Sequence, residues 1–421
     1  MIEIKGGHIV DPVSKTDEIM DILIDGCKIM KVDKNIEPES GTEVVDADGL
    51  IVAPGIVDAH VHFRDPGFTY KEDIDTGAMA AAAGGVTTVI CMANTKPPVD
   101  NIDTLRYIID KGKKTGIRIY QTANVTKGMK GEETVDFDEM AAAGAAGFTD
   151  DGVPVMDAKL LLKAMKSVEK LGLPISLHEE SPEFIEKPGV NMGDVSEKLG
   201  YGGASHLAED IMVARDAVLA LETGAKVVIQ HISSGKSVEI VRAFKKMGAN
   251  LYAEATPHHF TLTEEAVLKY GTNVRINPPV RTENDRQLII EGLADGTIDM
   301  IVTDHAPHSS DEKKKTLEKA PSGIIGLETS LALGIRELVQ PGRISLMKLI
   351  ELMSTNPARL YNLTPGSVTA GAAADLVIFG ENEKFRVENF KSKASNSPFL
   401  GWTLPGKIHM TICNGKVIYK N

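Results

Sequence analysis

Residue types that bind metals stand at the ends of apolar, strand-like runs in five places along this sequence. The parallel strands of a barrel carry their functional side chains at their carboxyl ends, so we expect these residues to meet at one rim. Imidazole nitrogens and carboxylate oxygens without a thiolate form a ligand set that suits Zn²⁺. A single histidine is more often a core or surface residue than a ligand, but the recurrence favours a shared metal site. The five strand ends lead into His60-Val61-His62, Asp150-Asp151, His178, His231 and Asp304.

Two of these strand ends hold pairs whose spacing predicts where the side chains point. Because side chains alternate along an extended strand, His60 and His62 lie on the same side and can share a metal ion. The same alternation sends Asp150 and Asp151 to opposite sides. Only one of the two aspartates therefore faces the site, and spacing alone leaves open which one.

The middle of the chain, from residue 52 to about residue 360, alternates strand-like runs with helical segments. Repeated strand–helix units predict a parallel sheet with helices outside it. The number of units favours a (β/α)₈ TIM barrel, with an open doubly wound sheet as the alternative. The predicted strands include residues 86–91, 174–177, 226–229, 250–253 and 299–302, and the predicted helices include 76–83, 158–171, 206–223 and 237–247.

The two ends of the chain are rich in short β segments. Near the N-terminus, residues 2–4 and 8–10 flank Gly6-Gly7, a pattern typical of a turn between short antiparallel strands. Near the C-terminus, Asn414-Gly415 is a hairpin turn signal. We therefore expect an α/β protein in which residues 1–51 and 364–421 form one small discontinuous β-sandwich domain beside a barrel of residues 52–363.

The composition excludes several classes of partner. A formal net charge of −13 repels nucleic acids and anionic membranes, so we expect a small-molecule substrate instead. The three cysteines, Cys27, Cys91 and Cys413, form no CxxC pair, which argues against a disulfide framework or a thiolate zinc site. The sequence begins without a signal-peptide pattern and has no apolar run long enough to span a membrane, so the expected location is the cytoplasm.

Five stretches of the sequence resemble a known family. The segment from Pro54 to Gly67 is similar to the opening of the metal site in the amidohydrolase superfamily, in the form that dihydroorotases of the longer bacterial class carry. The resemblance covers nearly the whole chain, from the N-terminal strands to residues 371–377. The other four stretches are Met92-Ala93-Asn94-Thr95-Lys96-Pro97-Pro98, Thr149-Asp150-Asp151-Gly152, Asn277-Pro278-Pro279-Val280-Arg281 and Thr303-Asp304-His305-Ala306-Pro307-His308.

This resemblance implies a metal centre with two zinc ions per chain. One ion is expected on His60, His62 and Asp304. The second is expected on His178 and His231, with Asp151 as the bridge between the two. Many members of the superfamily bridge with a carboxylated lysine, and the shorter reach of an aspartate leaves open whether both sites fill completely.

The resemblance also implies a substrate and a reaction. His62, Arg64, Asn94 and His308 are expected to contact dihydroorotate, the last three around its carboxylate. Asn277 and the backbone of Ser322-Gly323 are expected at the ring amides. Asp304 is the expected general base and then acid in the reversible hydrolysis to N-carbamoyl-L-aspartate, a step of pyrimidine biosynthesis. Ser322 departs from the family, in which phenylalanine is common before the glycine, so the detail of the ring contact stays open.

The sequence leaves open alternatives for the activity, the assembly and one charged segment. Allantoinases and hydantoinases share the barrel and the metal chemistry, and some relatives in the superfamily resemble non-catalytic scaffolds that have lost metal ligands. The sequence leaves open a homodimer and an association with aspartate transcarbamoylase, which some relatives form. The charged run 311–319 is expected to be a solvated loop, with a mobile lid as the alternative. His258 and His259 are interpreted as supporting residues and not as ligands.

Overall fold

The computed structural model describes residues 1–37 and 40–421, and its strands form a sheet from the two chain ends and a barrel from the middle. The chain-end strands are β1 (Ile2–Asp11), β2 (Thr16–Asp25), β3 (Lys28–Asp33), β4 (Glu43–Asp46), β5 (Ile51–Pro54), β13 (Leu376–Gly380), β16 (Lys407–Cys413) and β17 (Lys416–Lys420). The barrel strands are β6 (Ile56–Val61), β7 (Val86–Cys91), β8 (Arg118–Gln121), β9 (Pro174–Leu177), β10 (Lys226–Ile229), β11 (Leu251–Ala255) and β12 (Met300–Ile301). Two short strands, β14 (Phe385–Arg386) and β15 (Thr403–Leu404), pair with each other.

The helices follow the barrel strands along the chain. Helix α4 shows why they form: Asp157 caps its first turn, the buried residues Leu161, Ala164, Met165 and Val168 recur at helical spacing, and Gly172 ends it with a left-handed backbone. The helices are α1 (Ile74–Ala83), α2 (Ile102–Gly112), α3 (Phe137–Ala142), α4 (Ala158–Leu171), α5 (Asp194–Leu199), α6 (Leu207–Thr223), α7 (Gly235–Lys246), α8 (Pro257–Thr261), α9 (Ala266–Tyr270), α10 (Glu283–Asp295), α11 (Ser310–Lys313), α12 (Ser330–Gly334), α13 (Leu346–Ile350) and α14 (Asn356–Leu360). Single 3₁₀ or π turns occupy Lys127–Met129, Pro182–Phe184, Gly271–Val274, Ile335–Val339 and Glu351–Thr355.

The barrel consists of two parallel sheets joined at both edges. One sheet holds β6, β7 and β8, and the other holds β9 to β12 in sequence order. At one edge, Phe148 forms parallel bridges to Ala123 and to Ile175. At the other edge, Val61 bridges to His305, and the His62 N–H donates to the His305 carbonyl at 2.9 Å. These bridges complete a ring of eight parallel segments, so the predicted barrel is confirmed and the open sheet is not.

An apolar cluster packs inside the barrel, below the level of the predicted ligands. Its inward side chains include Ile90, Val228 and Met300, and Tyr361 packs with them. The Tyr361 hydroxyl lies 3.1 Å from Ser176 Oγ, inside the barrel. The predicted ligands lie at the carboxyl ends of the strands, which is where the active sites of such barrels lie.

The two chain ends pair into one sheet, as predicted. Its strand order is β17-β16-β13-β5-β1-β2-β3, with β4 also beside β1. The sheet is mixed and not purely antiparallel, because β1 pairs in parallel with β4 and β5. A bridge from Lys28 to Ala373 brings its far edge back, so the sheet folds over a core that includes Ile4, Ile22 and Ile412. The strand β5 belongs to this sheet and extends past residue 51, where the sequence boundary was placed.

The turn predicted at Gly6-Gly7 is wrong. The strand β1 runs through both glycines, and its register against β2 shifts between Ile4 and Gly7. Gly6 has a φ of +68°, and its N–H donates to Asp21 Oδ1 at 2.8 Å. The glycines therefore form a bulge in one long strand, which the local pattern does not distinguish from a turn.

Among the described residues, no helix combines the length and apolarity needed to cross a membrane.

Candidate metal centre

Asp151 lies at the centre of the predicted ligand set. Its carboxylate approaches all four histidines: Oδ1 lies 3.4 Å from His60 Nε2, 3.7 Å from His231 Nε2 and 3.8 Å from His178 Nδ1, and Oδ2 lies 3.4 Å from His62 Nε2. The ligand atoms of His60, His62 and Asp151 lie within 4.8 Å of one another, and so do those of Asp151, His178 and His231. One carboxylate shared by two groups is the arrangement that a bridging ligand requires.

Asp304 adjoins only one of these two groups closely. Its Oδ1 lies 2.9 Å from His62 Nε2 and 3.6 Å from His60 Nε2. On the other side of Asp151, His178 Nδ1 lies 3.1 Å from His231 Nε2. The structure thus brings together all six side chains that the sequence predicted, over a chain separation of more than two hundred residues.

Buried atoms without partners show that this cluster fits a metal ion. Among the described residues, His60 Nε2 and Asp151 Oδ1 are buried without a hydrogen-bond partner, although they face each other. Buried polar atoms are almost always paired, so two orphans at one point indicate a missing ligand. The nitrogen and oxygen donors, with no thiolate among them, suit zinc.

Two glutamates that were not predicted from the sequence contact His60 and His178. Each contacts the ring nitrogen that does not face Asp151. Glu254 Oε2 lies 3.0 Å from His60 Nδ1, and Glu180 Oε2 lies 3.0 Å from His178 Nε2. Such carboxylates orient a ligand histidine and leave its other nitrogen for the metal. A signal existed for Glu254, because it stands near the end of β11 as the ligands stand at other strand ends.

Asp150 does not face the cluster. Its carboxylate accepts hydrogen bonds from the backbone N–H groups of Val125 and Thr126, at 2.9 and 3.1 Å, and from the Asn124 amide at 3.2 Å. It therefore fastens the loop after β8, and the choice between the two aspartates, open from spacing, falls geometrically on Asp151.

The electrostatics of the cluster favour ionised carboxylates. Burial by itself raises the pKa of Asp304, but the hydrogen bond with His62 and the charge of His60 hold that pKa below its ordinary value. Burial likewise opposes protonation of His60, while Asp151 and Glu254 raise the pKa of its imidazole well above the ordinary value. A metal ion entering the cluster would replace protons on these imidazoles.

Three site residues have an unusual backbone. Arg64, His231 and Asp304 adopt positive φ angles of 59°, 32° and 45°. Left-handed backbone costs a non-glycine residue about 1–3 kcal/mol, and such residues concentrate at functional sites. These conformations turn the chain sharply after each strand and direct the side chains into the rim.

A cleft of about 250 Å³ opens directly above the cluster. Every residue predicted to contact substrate lines it. So do Gly152 and Ala306, which the sequence analysis did not single out. The predicted contacts along the cleft are His62, Arg64, Asn94, Asn277, His308, Ser322 and Gly323.

Arg64 is the cation of this cleft, and His308 beside it is neutral. The Arg64 Nη2 atom lies 3.4 Å from His308 Nε2. Burial and the Arg64 charge lower the pKa of His308 to about 2. The His308 Nε2–H donates to the Ser322 carbonyl at 2.8 Å, and Lys71 Nζ donates to Nδ1 at 3.1 Å, which fixes the tautomer. Lys71 belongs to none of the groups predicted from the sequence to lie at the cleft.

Ser322 makes polar contacts that phenylalanine would not make. Its hydroxyl donates to Asn277 Oδ1 at 2.7 Å and accepts from the Arg275 guanidinium. The next residue, Gly323, has a φ of +149°, and an added Cβ would lie 2.6 Å from the Ala306 carbonyl oxygen. The departure from the family at Ser322 thus produces a tightly bonded loop at the cleft wall.

The solvated loop predicted for residues 311–319 is wrong at its beginning, because residues 311–313 belong to the helix α11 and Lys313 is buried. Lys313 is only 6% exposed, and its ammonium donates to the Pro321 and Gly323 carbonyls at 3.0 Å each. Its neighbours Lys314 and Lys315 are exposed, as expected.

His258 and His259 lie beside the centre and outside the ligand set. The ring of His259 lies 2.8 Å from Thr256 Oγ1 and 3.0 Å from the Pro278 carbonyl, so it joins two loops. Burial lowers the pKa of His258 to about 4.

Comparisons with known proteins agree with this geometry. The model of the amidohydrolase family matches residues 51–418. The chain is 58% identical to a dihydroorotase of Clostridioides difficile (strain 630) and 52% identical to a dihydroorotase of Clostridium acetobutylicum, each over 100% of both chains. An L-hydantoinase (dihydropyrimidinase) from Arthrobacter aurescens has a similar structure, with a TM-score of 0.88 at 25% identity over 100% of this chain and 96% of that one. The chain therefore belongs to the amidohydrolase family, and the two clostridial relatives that it matches at 58% and 52% identity are dihydroorotases.

Proposed function

We propose that this protein is a zinc-dependent dihydroorotase that reversibly hydrolyses the ring amide of (S)-dihydroorotate to N-carbamoyl-L-aspartate. One observation carries the proposal: the half-buried guanidinium of Arg64 and the cluster around Asp151 face the same small cleft. A cyclic amide that bears a carboxylate fits such a cleft. The Arg64 guanidinium on the wall can bind the carboxylate, and the cluster around Asp151 at the floor can hold the metal that acts on the amide. The full-length identity to dihydroorotases supports the same substrate.

His60, His62 and Asp304 would hold one zinc ion, His178 and His231 a second, with Asp151 between them. Zinc, when bound, polarises an amide carbonyl and lowers the pKa of water to about 7. The protein residues around it bind the substrate, orient it and move the proton.

Binding and orientation are the task of the cleft wall. The planar guanidinium of Arg64 can donate two parallel hydrogen bonds to the substrate carboxylate. His308, which is neutral, forms part of the cleft wall and donates a hydrogen bond to the Ser322 carbonyl, but it adds no positive charge for the substrate carboxylate. Asn277 and the Ser322 segment line the cleft where the ring amides would lie.

Asp304 is the group we assign to proton transfer. Both cluster carboxylates line the cleft, and Asp304, with a side chain 13% exposed against 5% for Asp151, is the more open of the two. Ionised Asp304 accepts a proton from the attacking water as the carbon–oxygen bond forms. It then returns that proton to the ring nitrogen as the carbon–nitrogen bond breaks. Ring closure follows the same steps in reverse.

The test is a rate comparison on dihydroorotate, hydantoin and allantoin, combined with zinc analysis of the same preparation. We expect clear preference for dihydroorotate and up to two zinc ions per chain. A faster reaction with hydantoin or allantoin would assign the protein to those enzymes instead. A gently purified protein without zinc and without activity would favour the non-catalytic scaffold. The variant R64M, in which methionine removes the guanidinium, should raise KM for dihydroorotate by at least tenfold.

Cytoplasmic location, a homodimer and association with aspartate transcarbamoylase stay predictions. Sedimentation of the purified chain, alone and with aspartate transcarbamoylase, tests the last two.

A further inference from the structure

The loop Pro321–Gly323 is held by buried side chains at each of its three carbonyl groups. Lys313 Nζ donates to the Pro321 and Gly323 carbonyls at 3.0 Å each. His308 Nε2 donates to the Ser322 carbonyl at 2.8 Å. Asn396 Nδ2 donates to the Gly323 carbonyl at 2.9 Å. Each carbonyl of this loop therefore already accepts at least one hydrogen bond from a side chain.

The N–H groups of the loop differ from each other. The Gly323 N–H donates to the Arg275 carbonyl at 2.9 Å. In the described parts of the chain, the Ser322 N–H has no acceptor, although Ser322 lines the cleft. The sequence predicted that the backbone of both Ser322 and Gly323 contacts the substrate ring, but the Gly323 N–H is already bonded within the protein. Of the backbone groups at Ser322 and Gly323, the Ser322 N–H is the one without a hydrogen-bond partner in the described part of the chain.

Burial of Lys313 removes its charged group from water, whereas its neighbours Lys314 and Lys315 stay exposed. Burial and the nearby Arg275 lower the pKa of its ammonium to about 7. The helix α11 that carries Lys313 is fixed from two sides, by the ion pair between Lys71 and Glu312 at 3.0 Å and by the Thr272 hydroxyl on the Lys313 carbonyl. These two contacts fix the position of α11 and thereby hold the Lys313 ammonium against the loop Pro321–Gly323.

We propose that Lys313 is a positioning residue that orients and polarises the Ser322 N–H as a hydrogen-bond donor to the ring amide of the substrate. The Pro321 carbonyl and the Ser322 N–H belong to one peptide group. A donor on the carbonyl oxygen of a peptide strengthens the N–H of the same group, because hydrogen bonds in a chain polarise one another. This inference rests on the proposed function, since it assigns a contact with that substrate.

The main test compares K313M with K314M and K315M, which remove exposed charges from the same run. We expect KM for dihydroorotate to rise about tenfold in K313M, the size expected for one hydrogen bond, while kcat changes less than threefold. K314M and K315M should match the wild type. K313R restores a cationic donor and should recover part of the loss. Zinc content and melting temperature, measured on every variant, separate this effect from a general loss of structure.

A second measurement uses the wild-type enzyme and does not depend on the folding of any lysine variant. The amide resonance of Ser322, recorded with ¹⁵N-serine and assigned by its loss in S322A, should move downfield when N-carbamoyl-L-aspartate saturates the cleft. An unmoved resonance, or a folded K313M with KM within twofold of the wild type, would overturn the inference. A wild-type enzyme that does not hydrolyse dihydroorotate would overturn the proposed function itself.

Discussion

The side-chain amide of Asn94 donates a hydrogen bond of 3.0 Å to Oδ2 of Asp151. The same amide nitrogen lies 3.1 Å from the Asp151 carbonyl, and Asn94 Oδ1 lies 2.9 Å from His62 Nδ1. Asn94 thus uses its hydrogen-bonding capacity on two members of the ligand set. It fixes the Asp151 carboxylate and orients His62, in addition to lining the cleft where a substrate contact was expected.

Replacing Asn94 with alanine should weaken zinc binding. Loss of a residue that orients metal ligands typically reduces metal affinity 10- to 100-fold, and we expect a value in that range. Zinc release to a chromogenic chelator measures the affinity directly, without reference to turnover. The exposed Asn389, replaced in the same way, serves as the control. Unchanged zinc affinity in N94A, together with a raised KM, would restrict Asn94 to substrate binding.

Glu254 and Glu180 should act on different halves of the centre. Each carboxylate holds one histidine, so E254Q should weaken the ion near His60 and E180Q the ion near His178. Stepwise removal of zinc with increasing chelator should show one ion released early in each variant, at about 10- to 100-fold lower chelator strength. The two variants control for each other. Simultaneous loss of both ions in either variant would contradict a division into two half-sites.

Asp304→Asn should separate binding from turnover. The amide keeps a ligand oxygen near His62 but cannot accept the proton, so we expect kcat to fall by about 10²–10⁴ while zinc content stays near that of the wild type. Steady-state rates and metal analysis on one preparation provide both numbers. D311N, in the exposed part of the rim, should behave as the wild type. Near-normal turnover in D304N would remove Asp304 from the proton transfer.

The neutral state of His308 should make stability depend on pH. Its pKa of about 2 in the folded protein lies below the ordinary value of 6.5, so the unfolded chain binds the extra proton. Above pH 6.5 His308 is neutral in both the folded and the unfolded protein, so it does not lower the free energy of unfolding. As the pH falls from 6.5 toward 2, protonation of His308 in the unfolded chain progressively lowers that free energy. Between pH 7.5 and 5.5 this group alone should lower the free energy of unfolding by about 1.4 kcal/mol. Urea unfolding at both pH values should show a smaller difference in H308Q, and an equal difference would exclude this origin.

The local pattern of the sequence determined the barrel and the kind of site. Alternation and helical spacing depend on near neighbours, so the bounds of α4 and of the strands β7, β9 and β10 agree with prediction residue for residue. Residue type at strand ends was sufficient to predict a nitrogen and oxygen site for zinc at one rim. The resemblance to a family added the choice of Asp151 and the substrate.

Only the tertiary structure decided how those residues are supported. Glu254 reaches His60 from 194 positions away, and Lys313 is buried because the loop of residues 321–323 folds over it. Asp150 turns from the centre because donor groups of Asn124, Val125 and Thr126, in the loop after β8, surround its carboxylate. Such contacts depend on where distant segments pack, and neighbouring residues along the chain carry no record of that packing. The sequence by itself therefore predicted six side chains that the fold brings together, and the tertiary structure decided which other residues hold them in place.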